Sequence, residues 1–195
     1  MRELVFLPAP HEVGYGFLDG PCKLSEGVDW PLDENGKPLF HLLSLPMNWI
    51  KEGEGTGLWL SVFILYDKES YSHYGKISQE EDVAKNAVVI LHDMSGKEKI
   101  IHPYQSETSK SITNRAAQED DENVASYVGG IPYWVQDPIE IKNYECVATI
   151  YGPDMDEALG ENRGVISDGV GYVFIRKNID ISKSGLVGNF YVQLG

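Results

Sequence analysis

Leu58-Trp59-Leu60-Ser61-Val62-Phe63-Ile64-Leu65-Tyr66 is the stretch that decides the fold. It is rich in aromatic and β-branched residues and is bounded by Gly57 and Asp67. An apolar run of this length, closed at both ends by turn residues, predicts a buried strand. Ala87 to Leu91, Cys146 to Tyr151, Val170 to Ile175 and Leu186 to Leu194 read the same way, and Phe40 to Leu45 is a sixth candidate. Asp168-Gly169, just ahead of one of these runs, predicts a type I′ hairpin turn, whose two central residues need positive φ.

Helix signals are few. Ser78-Gln79-Glu80-Glu81 fits a capping box, in which the Ser hydroxyl takes the N3 amide and the Glu reaches back. The helix it starts would end near Lys85-Asn86. Asp154 to Leu159 predicts a second short helix, stopped by Gly160, and Pro46 to Lys51 a single turn. Strands in the majority with scattered short helices predict an α+β, β-rich fold of antiparallel sheets.

The second half echoes the first. Gly20-Pro21 and Trp30-Pro31 precede two apolar runs, and Gly130-Ile131-Pro132 and Trp134 precede two more. This predicts one domain over residues 1–195 with an internal duplication, its halves spanning about 1–103 and 124–195. Between them, 104–123 is polar, rich in Ser and Thr, and closes on Glu119-Asp120-Asp121-Glu122. The default reading of such a segment is a loop.

Thirty acidic residues against 16 basic ones give a net charge of −14. Nucleic acid and anionic membrane surfaces are disfavoured as partners, and a basic protein is favoured. Cys22 and Cys146 are the two cysteines and form no CxxC. No run is long enough for a membrane span, and Leu4 to Leu7 is too short for the apolar core of a signal peptide. A cytoplasmic location with reduced thiols is the expectation.

Three separated blocks resemble the YwqG-like family, a bacterial group of unknown function. The first runs from Gly20 through Trp30-Pro31 to Gly36-Lys37-Pro38-Leu39. The second is Gly129-Gly130-Ile131-Pro132-Tyr133-Trp134-Val135-Gln136. The third is the Gly169 to Phe174 strand, followed by a last strand carrying Tyr191 and Gln193. The blocks occur in the family's order across most of the chain. His41 stands near a position where the family usually has Gln. The resemblance implies a β-rich α+β fold with a duplicated core, and no activity. By analogy with gene neighbourhoods of the family it implies an immunity-type role.

The chemistry-bearing residues form no catalytic pattern. His11, His41, His73, His92 and His102 are scattered, with no HxH or HExxH. His92 and His102 flank Ser95-Gly96, and with Asp93 they would still fall short of the three or four converging ligands that a metal needs. Asp33-Glu34-Asn35-Gly36 fails as a calcium loop, because Pro31 and Leu42 fall where carboxylates are required. Gly53-Glu54-Gly55-Thr56-Gly57 precedes a strand, whereas phosphate loops open a helix. No GxSxG occurs. These absences predict a non-enzymatic protein with no metal and no cofactor.

Two candidate surfaces remain. Tyr133, Trp134 and Gln136, joined by His41 at the family's Gln position, suit a small ligand or carbohydrate, since aromatic faces beside an amide recognise both apolar and polar groups. Glu119, Asp120, Asp121 and Glu122 suit a basic partner. A protein-binding module, of antidote type against a basic partner, is the leading expectation, with small-ligand or carbohydrate binding as the alternative.

Overall fold

The computed structural model describes residues 1–117 and 126–195, with the backbone alone at 80–82. Among the described residues ten strands run in the order β1 (Arg2–Pro10), β2 (Gly16–Leu18), β3 (Phe40–Pro46), β4 (Trp59–Ile64), β5 (Ala87–His92), β6 (Lys110–Ala116), β7 (Tyr127–Val128), β8 (Tyr144–Tyr151), β9 (Val170–Arg176) and β10 (Gly185–Gln193). Four short helices join them: α1 (Met47–Ile50), α2 (His73–Ser78), α3 (Glu80–Asn86) and α4 (Gly152–Leu159), followed by a 3₁₀ turn over Gly160–Asn162.

The strands close into one barrel, β1-β6-β2-β3-β4-β5-β10-β9-β8-β7, and every pair is antiparallel. The fold is β-rich and antiparallel, but the expected α+β fold of antiparallel sheets is overturned: the strands form one closed barrel. β2–β5 and β7–β10 are two four-stranded meanders, but they are not two sheets. They meet at the β5–β10 pair on one side and are bridged by the β1–β6 ribbon on the other, with β1 also pairing β7. Among the described residues, closure leaves no strand at the end of a sheet.

The six apolar runs all form strands. The remaining strands, β1, β2, β6 and β7, are the ones that carry the sheet round. β6 lies inside the segment read as a polar loop: its sequence, KSITNRA, buries Ser111 and Ile112, half-buries Asn114 and exposes Arg115. β1 contains Pro8 and Pro10, and its pairing with β6 slips between Leu7 and Pro10, where a missing N–H costs least. Two local expectations also fail. Ser78 ends α2, so it caps nothing, and Gln79 takes the N-cap of α3 without a side-chain bond. Asp168-Gly169 joins α4 to β9; the positive φ there belongs to Ser167, at 55°.

Strand alternation separates two layers. Leu43, Leu45, Leu60, Val62, Val89 and Leu91 share one face in register and fill the barrel interior together with Val128, Ala148, Val173 and Phe190. Gly171 has no side chain because the Phe190 ring occupies the place a Cβ would take. The opposite face of β3–β5 carries Phe63, Val88 and Ile90, covered by Cys22, Leu24, Trp30 and Leu39 from the strap that joins β2 to β3. A second strap, from Gly129 to Asn143, covers the outward face of β8–β10, where Trp134 packs on Tyr172 with ring centroids 4.5 Å apart. At the Phe40 end of the barrel, Tyr66, His73, His102 and Tyr104 pack with Phe40 as an aromatic cluster.

Candidate functional site

The second strap holds three of the residues singled out in the sequence. It begins with Gly129 and Gly130 at φ of 70° and 81°, a left-handed pair that only glycine adopts cheaply. The turn throws the chain outward, and its backbone is then fixed from below. The Tyr127 hydroxyl accepts from Tyr133 N at 2.9 Å and donates to Ile131 O at 3.0 Å. The Tyr172 hydroxyl accepts from Val135 N at 3.1 Å and donates to Tyr133 O at 3.0 Å. Gln193 continues the row: its Oε1 accepts from Gln136 N at 3.0 Å and its Nε2 donates to Asp137 O at 2.8 Å. Burial pushes the Tyr172 hydroxyl up to about 12, so it stays protonated and available as a donor.

Side chains alternate along this clamped backbone. Ile131 and Tyr133 project into solvent, 90% and 75% exposed. Trp134 turns inward, half-buried against Tyr172 and Phe174. Gln136 spends its amide on Leu194 O at 2.8 Å and thereby ties the strap to the end of β10. Met1 lies against Gly130 and is itself exposed. Tyr133, Trp134 and Gln136 therefore share one element but face different ways.

His41 lies elsewhere. It sits on β3 under the first strap, fully buried between Phe17 and Phe63, and does not join the Trp134 group. The acidic run Glu119, Asp120, Asp121 and Glu122 lies outside the described residues.

Under the first strap is a polar row that sequence reading missed. His41 Nε2 meets Ser44 Oγ at 2.8 Å, Ser44 meets Ser61, and Ser61 Oγ meets His92 Nε2 at 2.6 Å. Cys22 Sγ approaches Ser61 at 3.8 Å. All five residues are buried, and neither Nδ1 makes a hydrogen bond. Desolvation lowers both imidazoles to about 4, against a weaker opposing pull from Asp19 on His41 and from Asp93 on His92; His41 also lowers His92. Desolvation lifts the Cys22 thiol to about 12. The row is thus neutral at pH 7, and its thiol is no nucleophile. Its protons can be counted. Three hydrogen bonds require three protons and the two hydroxyls supply two, so one imidazole donates from Nε2 while the other carries its proton on Nδ1. The sequence signal is three polar residues, Ser44, Ser61 and His92, inside apolar strands. It becomes legible only when the β3–β4–β5 register sets Ser44 opposite Ser61 and places His92 on the same outer face.

Beside His41 is a buried carboxylate. Asp19, at φ 53°, accepts from Gly20 N, Gln105 Nε2, Ser106 N and Oγ, and Asn162 Nδ2. It binds the first strap to the loop before β6 and to the 3₁₀ turn. Its role is structural, since its lone pairs are already occupied. His92 and His102 do not pair: His92 belongs to the row, whereas His102 packs at the Phe40–Tyr66 cluster. Among the described residues no three His, Cys, Asp or Glu side chains converge as metal ligands, and no helix is long and apolar enough to cross a membrane.

No family model matches the chain, and no curated protein matches it in sequence.

Proposed function

We propose that this is a non-catalytic binding module that docks a basic protein partner through the second strap. One observation carries the reading: Ile131 and Tyr133 are exposed, yet their backbone is clamped by two buried tyrosine hydroxyls. Exposed aromatic and aliphatic side chains on a fixed backbone are good anchors, because the ordering cost of docking is met when the protein folds. The net charge of −14 supports a basic partner, which it would steer at long range. The neutral, enclosed polar row supports a non-catalytic reading. A cytoplasmic location, membership of the YwqG-like family and an antidote-type role belong to the same proposal. The family's three blocks fall on the first strap, the second strap, and β9 with β10.

The test is a pull-down from native lysate at low and high salt, with the intact protein and an Ile131→Ala, Tyr133→Ala double variant. The expected result is a basic protein captured at low salt, weakened by salt, and lost with the double variant. Alanine at two anchors should weaken binding by about 30-fold or more. Capture of nothing at either salt, or equal capture by the double variant, would overturn the proposal.

A further inference from the structure

The inward face of the second strap does something its outward face does not. Between the strap, the start of β8 and the end of β9 lies an open cleft of about 680 Å³. Its walls are Trp134, Ile139, Ile141 and Phe174. Phe174 is its buried floor, while the other three are only partly covered, so apolar surface stays open to a ligand. Lys142 and Lys177 stand on the rim, brought together where Lys177 N bonds Asn143 O at 3.0 Å. Among the described residues neither ammonium group forms an ion pair, although the chain carries thirty carboxylates. Among the described residues, Glu140 is the one carboxylate in the lining.

We infer that this cleft is a binding site for an amphipathic monocarboxylate. The apolar body of the ligand would lie against Trp134, Ile139, Ile141 and Phe174, and its carboxylate would meet Lys142 and Lys177. The volume falls in the range of small-molecule sites, which are mostly apolar with a few polar groups that fix orientation. Charge chooses among amphiphiles. An amine would face two cations, an alcohol would gain nothing from them, and a carboxylate is attracted by both. Glu140 weakens that attraction without reversing it, one negative charge against two positive ones. The inference does not rest on partner docking, which uses Ile131 and Tyr133 on the opposite face.

The experiment titrates the intact protein with decanoate, decanol and decylamine, each below its aggregation limit, and follows backbone amide shifts by NMR. Decanoate should produce saturable shifts confined to the strap and to the ends of β8 and β9. It should bind about fivefold more tightly than decanol at low salt, the gain expected from two exposed charge contacts. A Lys142→Ala, Lys177→Ala double variant, whose exposed positions leave the fold untouched, should bind decanoate and decanol alike. Absence of saturable shifts with decanoate, decylamine binding as tightly as decanoate, or an unchanged preference in the double variant would each overturn the assignment.

Discussion

Acid should begin to destabilise this protein from about pH 6.5, before its carboxylates start to titrate. His41, His92 and His102 are buried, and desolvation lowers each to about 4, while an imidazole in the unfolded chain titrates at 6.5. Desolvation moves His73 in the same direction. The unfolded chain therefore binds more protons than the folded one between pH 6.5 and 4. The stability these histidines contribute is complete above pH 6.5 and is lost as pH falls towards 4. At about 1.4 kcal/mol for each pH unit, a histidine moved this far is worth roughly 3 kcal/mol. His41 and His92 share one row and disfavour each other's charge, so their losses do not occur independently. Two or three such losses still rival a typical total stability of about 5–15 kcal/mol. Asp67, Asp93 and Asp180 sit at about 2, pulled down by hydrogen bonds from Ser70, Ser25 and Ser182 respectively, and they contribute in a separate window below pH 4. Urea unfolding followed by tryptophan fluorescence at half-unit pH steps measures the curve. The expected result is a midpoint that falls steadily from pH 6.5 and approaches zero urea near pH 4.5. A midpoint constant from pH 7 to 4.5, with collapse only below 4, would refute the reasoning and leave the carboxylates in control.

Two other predictions follow from the straps. Tyr172→Phe removes the hydroxyl shared by Val135 N, Tyr133 O and Gln193 Oε1; it should cost about 2 kcal/mol in urea unfolding and weaken partner capture although Ile131 and Tyr133 are untouched, and unchanged capture would mean that clamping is irrelevant to docking. In the polar row, long-range nitrogen–proton NMR at pH 7 should find opposite neutral tautomers at His41 and His92, and a Ser44→Ala, Ser61→Ala variant should release that constraint; identical tautomers in the parent protein would contradict the proton count.

The strands that could be read from sequence are those with two buried faces. β4, β5, β9 and β10 are apolar on the barrel side and again beneath a strap, so they appear as unbroken runs that need no register to be recognised. β1 and β6 have one buried face and one largely open to water, where Glu3 pairs with Arg115. Short alternation of this kind, interrupted by prolines in β1, resembles a loop. Those two strands turn two meanders into a closed barrel, so the apolar runs were legible and the closure was not. The site divides in the same way. Trp134 and Tyr133 stood out as aromatic residues next to glycine and proline. Tyr127, Tyr172 and Gln193, which hold them in place, sit far away in sequence or inside strands, and only pairing of Tyr172 with Tyr191 and of Gln193 with Val170 brings the row beneath the strap.

The same comparison explains why an exposed isoleucine and tyrosine have meaning here. Isolated apolar side chains are common on protein surfaces and need no explanation. On a loose loop, Ile131 and Tyr133 would be of that kind, and any partner would have to order the loop at a cost of about 1–2 kcal/mol for each residue fixed. On this strap the cost is met on folding, through six hydrogen bonds from Tyr127, Tyr172 and Gln193 to the backbone between Ile131 and Asp137. Three buried polar side chains are thereby committed to holding a surface segment still. What the clamps add is a fixed position for the two residues that face away from the protein.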